Sequence, residues 1–270
     1  MATLPECETL KLEQSGSILH LTLNRPDSRN AMSLAMVHEL RSVFAVIRDD
    51  IGVGAVVLRG AGGHFCAGGD VKDMASARGQ KVEDGSDPIF ELNRAFGHLL
   101  TEVESAPQTT VAVLEGAVMG GGFGLACVSD VALCLESAKF GLPETTLGIT
   151  PAQIAPFVVR RIGLTRARRL ALTGHRFDGS EAFWLGVVHD FAKSSEELEQ
   201  KLAQVLDGIR HCAPHASRVT KELLLSVETE PLETLLDKAA QDFAGAVRSE
   251  EGQEGTMAFL QKRKPSWADE

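Results

Sequence analysis

Two stretches decide the fold: His64–Met74, HFCAGGDVKDM, and Gly116–Pro151, GAVMGGGFGLACVSDVALCLESAKFGLPETTLGITP. Each follows a short apolar run, GAVVLR at residues 54–59 and TVAVL at 110–114. Runs that short and that apolar read as strands covered on both faces. Glycine then lets the chain turn at φ values other residues avoid and leaves backbone N–H groups facing outward. A helix starting from such a loop adds its N-terminal partial positive charge. Two such loops can converge on one oxygen and hold developing negative charge from main chain alone. Tight turns are the plainer explanation of the same glycines, and spacing by itself leaves both open.

Outward from these loops the pattern alternates. Thr9–Glu13 and Ile18–Leu23 alternate apolar and polar residues about Gly16, the signature of a hairpin. The turn NRPDSRN (24–30) leads into a helix with Leu34, Val37, Leu40, Val43, Phe44 and Ile47 on one face, capped by Ser33. Residues 76–88 are polar and read as a mobile loop. Phe90–Glu104 is an amphipathic helix stopped near Pro107, Phe123–Val128 a further helix and Val131–Leu135 a strand. Beyond Phe140 the chain turns mostly helical, with helices opening at Ser180 and running from Glu196 to His211. The class is α/β, with a core over 1–192 and a helical region over 193–270.

Composition narrows the function. A chain of 270 residues can bury a core without metal or disulfide, and its net charge of −10 argues against nucleic-acid binding. Five cysteines without CxxC spacing read as reduced thiols, and the polar N-terminus carries no signal-like apolar run, so a cytoplasmic protein is expected. No run of about 18 apolar residues occurs, which excludes a membrane helix. Neither GxxxxGK[ST], GxGxxG nor GxSxG is present, removing the P-loop, Rossmann and α/β-hydrolase readings. His211 and His215 are separated by Pro214 and lack an HExxH context, so no metal site is read there.

The letters resemble a family. HFCAGGDVKDM, the Gly116–Pro151 run, LTLNRPDSRNAMS (21–33) and EGTMAFLQKRKPSW (254–267) are similar, in order, to segments of the enoyl-CoA hydratase/isomerase (crotonase) family. That resemblance implies a spiral of ββα units with a C-terminal helical region that builds homotrimers or hexamers. It implies an acyl-CoA thioester substrate and no metal or redox cofactor, CoA being part of the substrate. Carried over by motif position, the thioester oxygen is held by the backbone N–H groups of Ala67 and Gly121. Asp70 fixes its loop. Arg25, Arg29, Ala31, Ala67, Gly68, Gly69, Lys72 and Lys264 join these two loops as contacts to the CoA ester.

One departure bears on mechanism. Hydratases of the family commonly carry two glutamates that share a water; the first position is Gly124 here, and only the second, Glu144, is a carboxylate. Glu144 is the candidate general acid/base, its pKa raised by an apolar pocket. Hydration with a single glutamate and Δ3-to-Δ2 isomerisation both remain open. A binding-only member of the family, RNA-binding included, is disfavoured by the acidic charge and the intact Glu144. Gly124 together with PAQIAPFVV (151–159) looks like bacterial members acting on 3-branched glutaconyl-CoA esters, the isohexenylglutaconyl-CoA and methylglutaconyl-CoA hydratases. Such a substrate carries a free carboxylate, for which Lys72, Arg78, Lys81 and Arg94 are candidates. Gln153 either helps position the water or packs. Residues 76–93 are expected to wall the acyl pocket.

Overall fold

The computed structural model describes residues 3–79 and 87–269. Leu10–Ser15 (β1) and Ile18–Leu23 (β2) form the antiparallel hairpin, and Leu34–Ile47 (α1) follows with the Ser33 hydroxyl accepting the Met36 N–H. Ala55–Gly60 (β3) leads to Val71–Gly79 (α2) and Pro88–Glu104 (α3), then Thr109–Leu114 (β4). Ala117–Met119 (β5), Gly121–Val128 (α4), Val131–Leu135 (β6) and Lys139–Gly141 (β7) complete the glycine-rich half. Ala155–Ile162 (α5), Leu164–Thr173 (α6), Arg176–Asp178 (β8), Gly179–Leu185 (α7) and Asp190–Ala192 (β9) come next. Ser195–Arg210 (α8), Pro214–Ser226 (α9), Leu232–Arg248 (α10) and Glu250–Gln261 (α11) close the chain.

The main sheet runs β1-β2-β3-β4-β6-β9, parallel from β2 onward, and a smaller sheet runs β5-β7-β8. Alternation along each strand divides the core in two. Val56 and Leu58 face the large cluster that takes in α1, α3 and α4; Ala55 and Val57 face the other side. There Val111, Val113 and Leu133 meet Leu198, Leu202 and Leu206 of α8. Each of those leucines is worth about 1.5–3 kcal/mol of burial. The point between 192 and 193 therefore separates the last strand from a helix that covers the same sheet. Lys221 of α9 reaches Asp130 at 2.6 Å and the Gln108 carbonyl at 3.0 Å, so α9 is also tied to the body. Buried side chains thin out from α9 onward: α9 has none, and α10 and α11 have Leu235 and Ala258.

Three elements depart from the sequence reading. Residues 76–79 belong to α2, whose weakly amphipathic sequence VKDMASARG hides its helical period; residues 80–86 lie outside the described residues. β8 and β9 are three residues each, too short for alternation to register. β8 closes the small sheet through Phe177, which stacks on Phe140 at 5.5 Å and meets Phe123 edge-on at 6.0 Å.

Candidate active site

The site forms where three chain segments leave their strands together. β5 and β7 pair in parallel, Met119 beside Gly141, so the residues just beyond them lie side by side. Gly120 donates its N–H to the Gly141 carbonyl at 3.1 Å, and Glu144 follows three residues later as the first residue of a 3-10 turn, Glu144–Leu147. On the other flank, Cys66 bridges to Val118, which brings Ala67–Asp70 alongside. The contact demands glycine: Gly120 sits at φ 49°, ψ −113°, and a Cβ there would lie 2.7 Å from Glu144 Oε1 and 3.5 Å from Gly68 Cα.

The turn upstream is stitched to the first loop. Asn30 is fully buried; its Oδ1 accepts the Arg25 N–H, and its Nδ2 donates to the carbonyls of Ala61 and His64. Arg25 donates to the Ala31 carbonyl at 2.6 Å and pairs with Asp70 at 2.8 Å. Burial by itself would raise the Asp70 carboxyl, but the Arg25 hydrogen bond and charge and the N–H groups of Lys72 and Asp73 outweigh it and hold it below the usual carboxylate range. Asp70 thus anchors its loop, and Arg25 is spent inside that anchor.

Which amides are free follows from the bridge between Met32 and Gly69. Met32 donates to the Gly68 carbonyl and accepts from the Asp70 N–H. A trans peptide points its C=O and N–H in opposite directions, so with the Gly68 carbonyl on Met32, the Gly69 N–H faces away. It has no acceptor among the described residues. Ala67, by contrast, donates to the Arg29 carbonyl at 3.0 Å. The amide expected to be free at Ala67 is therefore engaged, and the free amide of this loop is that of Gly69, two residues on. Gly121 opens α4, where a helix has no intrahelical partner for its N–H, and it too has no acceptor among the described residues. Gly69, Gly121 and Glu144 line one cleft of about 630 Å³.

Four carboxylates line that cleft, and three are engaged. Asp70 holds Arg25; Asp73 accepts the Leu34 N–H at 2.7 Å; Asp87 caps α3 through the Ile89 and Phe90 N–H groups. Glu144 alone accepts from no other residue, and its Oε2 is buried without a partner among the described residues. Desolvation pushes its pKa above the ordinary glutamate value, with only its own N–H pulling back.

The position of the missing carboxylate is filled. A Cβ on Gly124 would meet Ile154 Cγ1 and Cγ2 at 3.3 Å and Leu100 Cδ1 at 3.4 Å, so apolar side chains occupy the space a second acid would need. Ile154 comes from the PAQIAPFVV segment, and Phe96 of α3 packs against Gly121. From the segment 76–93, Asp87, Ile89, Phe90, Leu92 and Asn93 line the cleft. Gln153 lines it as well, with Nε2 donating to Asn93 Oδ1 at 3.1 Å and Oε1 accepting from Arg94 at 3.3 Å. Of the expected CoA contacts, Arg29, Lys72 and Lys264 are exposed, form no ion pair among the described residues, and do not line the cleft. Arg78 is exposed on α2, and Lys81 lies outside the described residues. The sequence reading places Gly69 among the CoA contacts rather than as the free amide of its loop; the available signal is the two-residue strand period that sends alternate peptides to opposite sides.

This geometry, two free amides and one desolvated carboxylate around a cleft, suits chemistry that builds negative charge on an oxygen and moves a proton nearby. The comparisons agree. The family model Enoyl-CoA hydratase/isomerase matches residues 13–270, and the chain belongs to that family. Among solved structures, Pseudomonas aeruginosa AtuE is 63% identical with a TM-score of 0.94, over 97% of this chain and 100% of that one. A Bacillus subtilis protein named "Probable enoyl-CoA hydratase" is 34% identical over 93% of this chain and 95% of its own. The Arabidopsis thaliana peroxisomal Delta(3,5)-Delta(2,4)-dienoyl-CoA isomerase is 30% identical over 99% of both. The chain is thus an enzyme of the enoyl-CoA hydratase/isomerase family, with the crotonase fold.

Proposed function

We propose that this enzyme adds water across the 2,3 double bond of an enoyl-CoA, with Glu144 as its single acid/base and Gly69 and Gly121 as the oxyanion donors. What carries the proposal is that Glu144 is the one cleft carboxylate not already engaged. In the forward step Glu144 takes a proton from water as the water oxygen bonds to C3. The C2=C3 pair shifts to C1, and the thioester oxygen becomes an enolate oxygen held by the two amides. The protonated Glu144 then delivers its proton to C2, restoring the thioester and the carboxylate, for a net gain of one water. A 3-branched, glutaconyl-type acyl group is the proposed substrate class, supported by the apolar wall of Ile154, Leu100 and Phe96 in place of a second acid. Self-association into trimers or hexamers is proposed from α10 and α11, which expose Leu232, Leu236, Phe243, Val247, Phe259 and Leu260.

A second reading, double-bond isomerisation, is favoured by the lone carboxylate itself: moving one proton between C2 and C4 needs no second acid. A mass-spectrometric screen of enoyl-CoA esters separates the two. Hydration adds the mass of one water, and isomerisation leaves the mass unchanged; a product of unchanged mass from every ester would overturn the hydratase assignment.

A further inference from the structure

We propose that Gln153, backed by Arg94 and Asn93, forms a subsite that selects acyl chains bearing a carboxylate. The inference rests on the proposed activity only for which end of the ligand reacts. Arginine has donors and no acceptor, so the Gln153 atom facing Arg94 is the carbonyl Oε1, at 3.3 Å. That fixes Nε2 toward Asn93, where it donates to Oδ1 at 3.1 Å. One N–H of the Gln153 amide and both of the Asn93 amide then remain unspent among the described residues, and both residues line the cleft. This wall therefore presents donors. The guanidinium behind it forms no ion pair with any described carboxylate; it polarises the Gln153 amide and strengthens its remaining N–H as a donor.

A group made of donors selects an acceptor. An attacking water needs acceptors for its protons, which Glu144 supplies and this amide wall does not. A carboxylate on the acyl chain supplies the acceptors, and its charge is balanced by Arg94. The fold makes room for the arrangement at Gly97 of α3, where a Cβ would fall 1.9 Å from Gln153 Oε1 and 2.7 Å from Arg94 Nη1. A helix-interior glycine disfavours its helix, so this notch is a feature the helix tolerates for the sake of the cluster.

Calorimetric titration with two saturated five-carbon esters, glutaryl-CoA and valeryl-CoA, tests this without turnover. Wild-type protein should favour glutaryl-CoA by about tenfold, equivalent to about 1.4 kcal/mol. In R94M, Q153L and G97A that ratio should fall close to one. R94M carries the test if Q153L fails to fold, because Arg94 reaches the cleft only through Gln153. A ratio near one in wild type, or a ratio unchanged in R94M and G97A, overturns the proposal. So does a Q153L variant that keeps the ratio and instead loses turnover of a neutral enoyl-CoA, the result a water-positioning role would give. Since neither ester can be hydrated or isomerised, failure of the hydratase reading leaves this result standing, and the reverse holds too.

Discussion

Replacing Glu144 with glutamine removes the one free carboxylate of the cleft while keeping its shape. General acid/base catalysis by a positioned side chain contributes about 10²–10⁴-fold. That range corresponds to about 2.7–5.5 kcal/mol of barrier. The structure argues for the upper part of it, because Asp70, Asp73 and Asp87 are all committed elsewhere and Gly124 offers nothing in reserve. Binding of a CoA ester should change little, since in the proposed mechanism Glu144 serves the reacting carbons and not the CoA moiety. The pH profile carries a second signature. Burial favours the neutral acid, so the ionised form needed to take a proton from water appears only above a pKa raised from the ordinary 4.5. The acid limb of kcat should therefore sit at higher pH than a solvated glutamate would give. The same sign governs stability: the cost of ionising the buried Oε2 grows as pH rises through the raised pKa, so E144Q should melt higher than wild type at neutral pH. The assay is loss of the conjugated enoyl-thioester absorbance, followed across pH for both proteins. Turnover of E144Q within about tenfold of wild type would refute the reasoning, since such a loss is below the range for acid/base catalysis.

Gly120→Ala should cost about 1–3 kcal/mol of stability, because φ 49° with ψ −113° is closed to alanine, and the new Cβ should also displace Glu144 and cut kcat; urea unfolding and turnover check both. Gly124→Glu should not install two-carboxylate hydration by itself: Ile154 and Leu100 fill the space, so overpacking should cost about 1–3 kcal/mol, and any gain on crotonyl-CoA should require Ile154→Ala alongside. Arg25→Met should strip the partner of the nearly buried Asp70 and destabilise by about 1–3 kcal/mol at neutral pH. Because the folded pKa of Asp70 is depressed, that contribution is present above its unfolded value and fades as pH falls through the folded one. The gap between R25M and wild type in urea midpoints should therefore narrow only as pH falls below the ordinary carboxylate value of 3.8.

Much of the architecture is legible in the sequence where a period is long enough to count. The hairpin, α1 with its Ser33 cap, α3 and α8 all carry clear patterns, and the ordered motifs identify the family. α2, β8 and β9 escape because nine weakly amphipathic or three extended residues contain too little period. Of the candidate site, the sequence points to the cleft side chain Glu144 more readily than to the backbone around it. Choosing between Ala67 and Gly69 depends on which peptide turns its carbonyl to Met32, a fact set by the pairing of Met32 with distant Gly69 rather than by local letters. The Gly97 notch is visible as a glycine inside a helical period, but its purpose becomes clear only once Gln153 is seen to fill it.

A crystal structure with acetoacetyl-CoA, which cannot be hydrated, tests the central claim most directly. The thioester oxygen should lie about 2.7–3.1 Å from both the Gly69 and Gly121 nitrogens, with the acyl carbons beside Glu144. An oxygen bound at the Ala67 nitrogen, or turned away from Gly121, would contradict it.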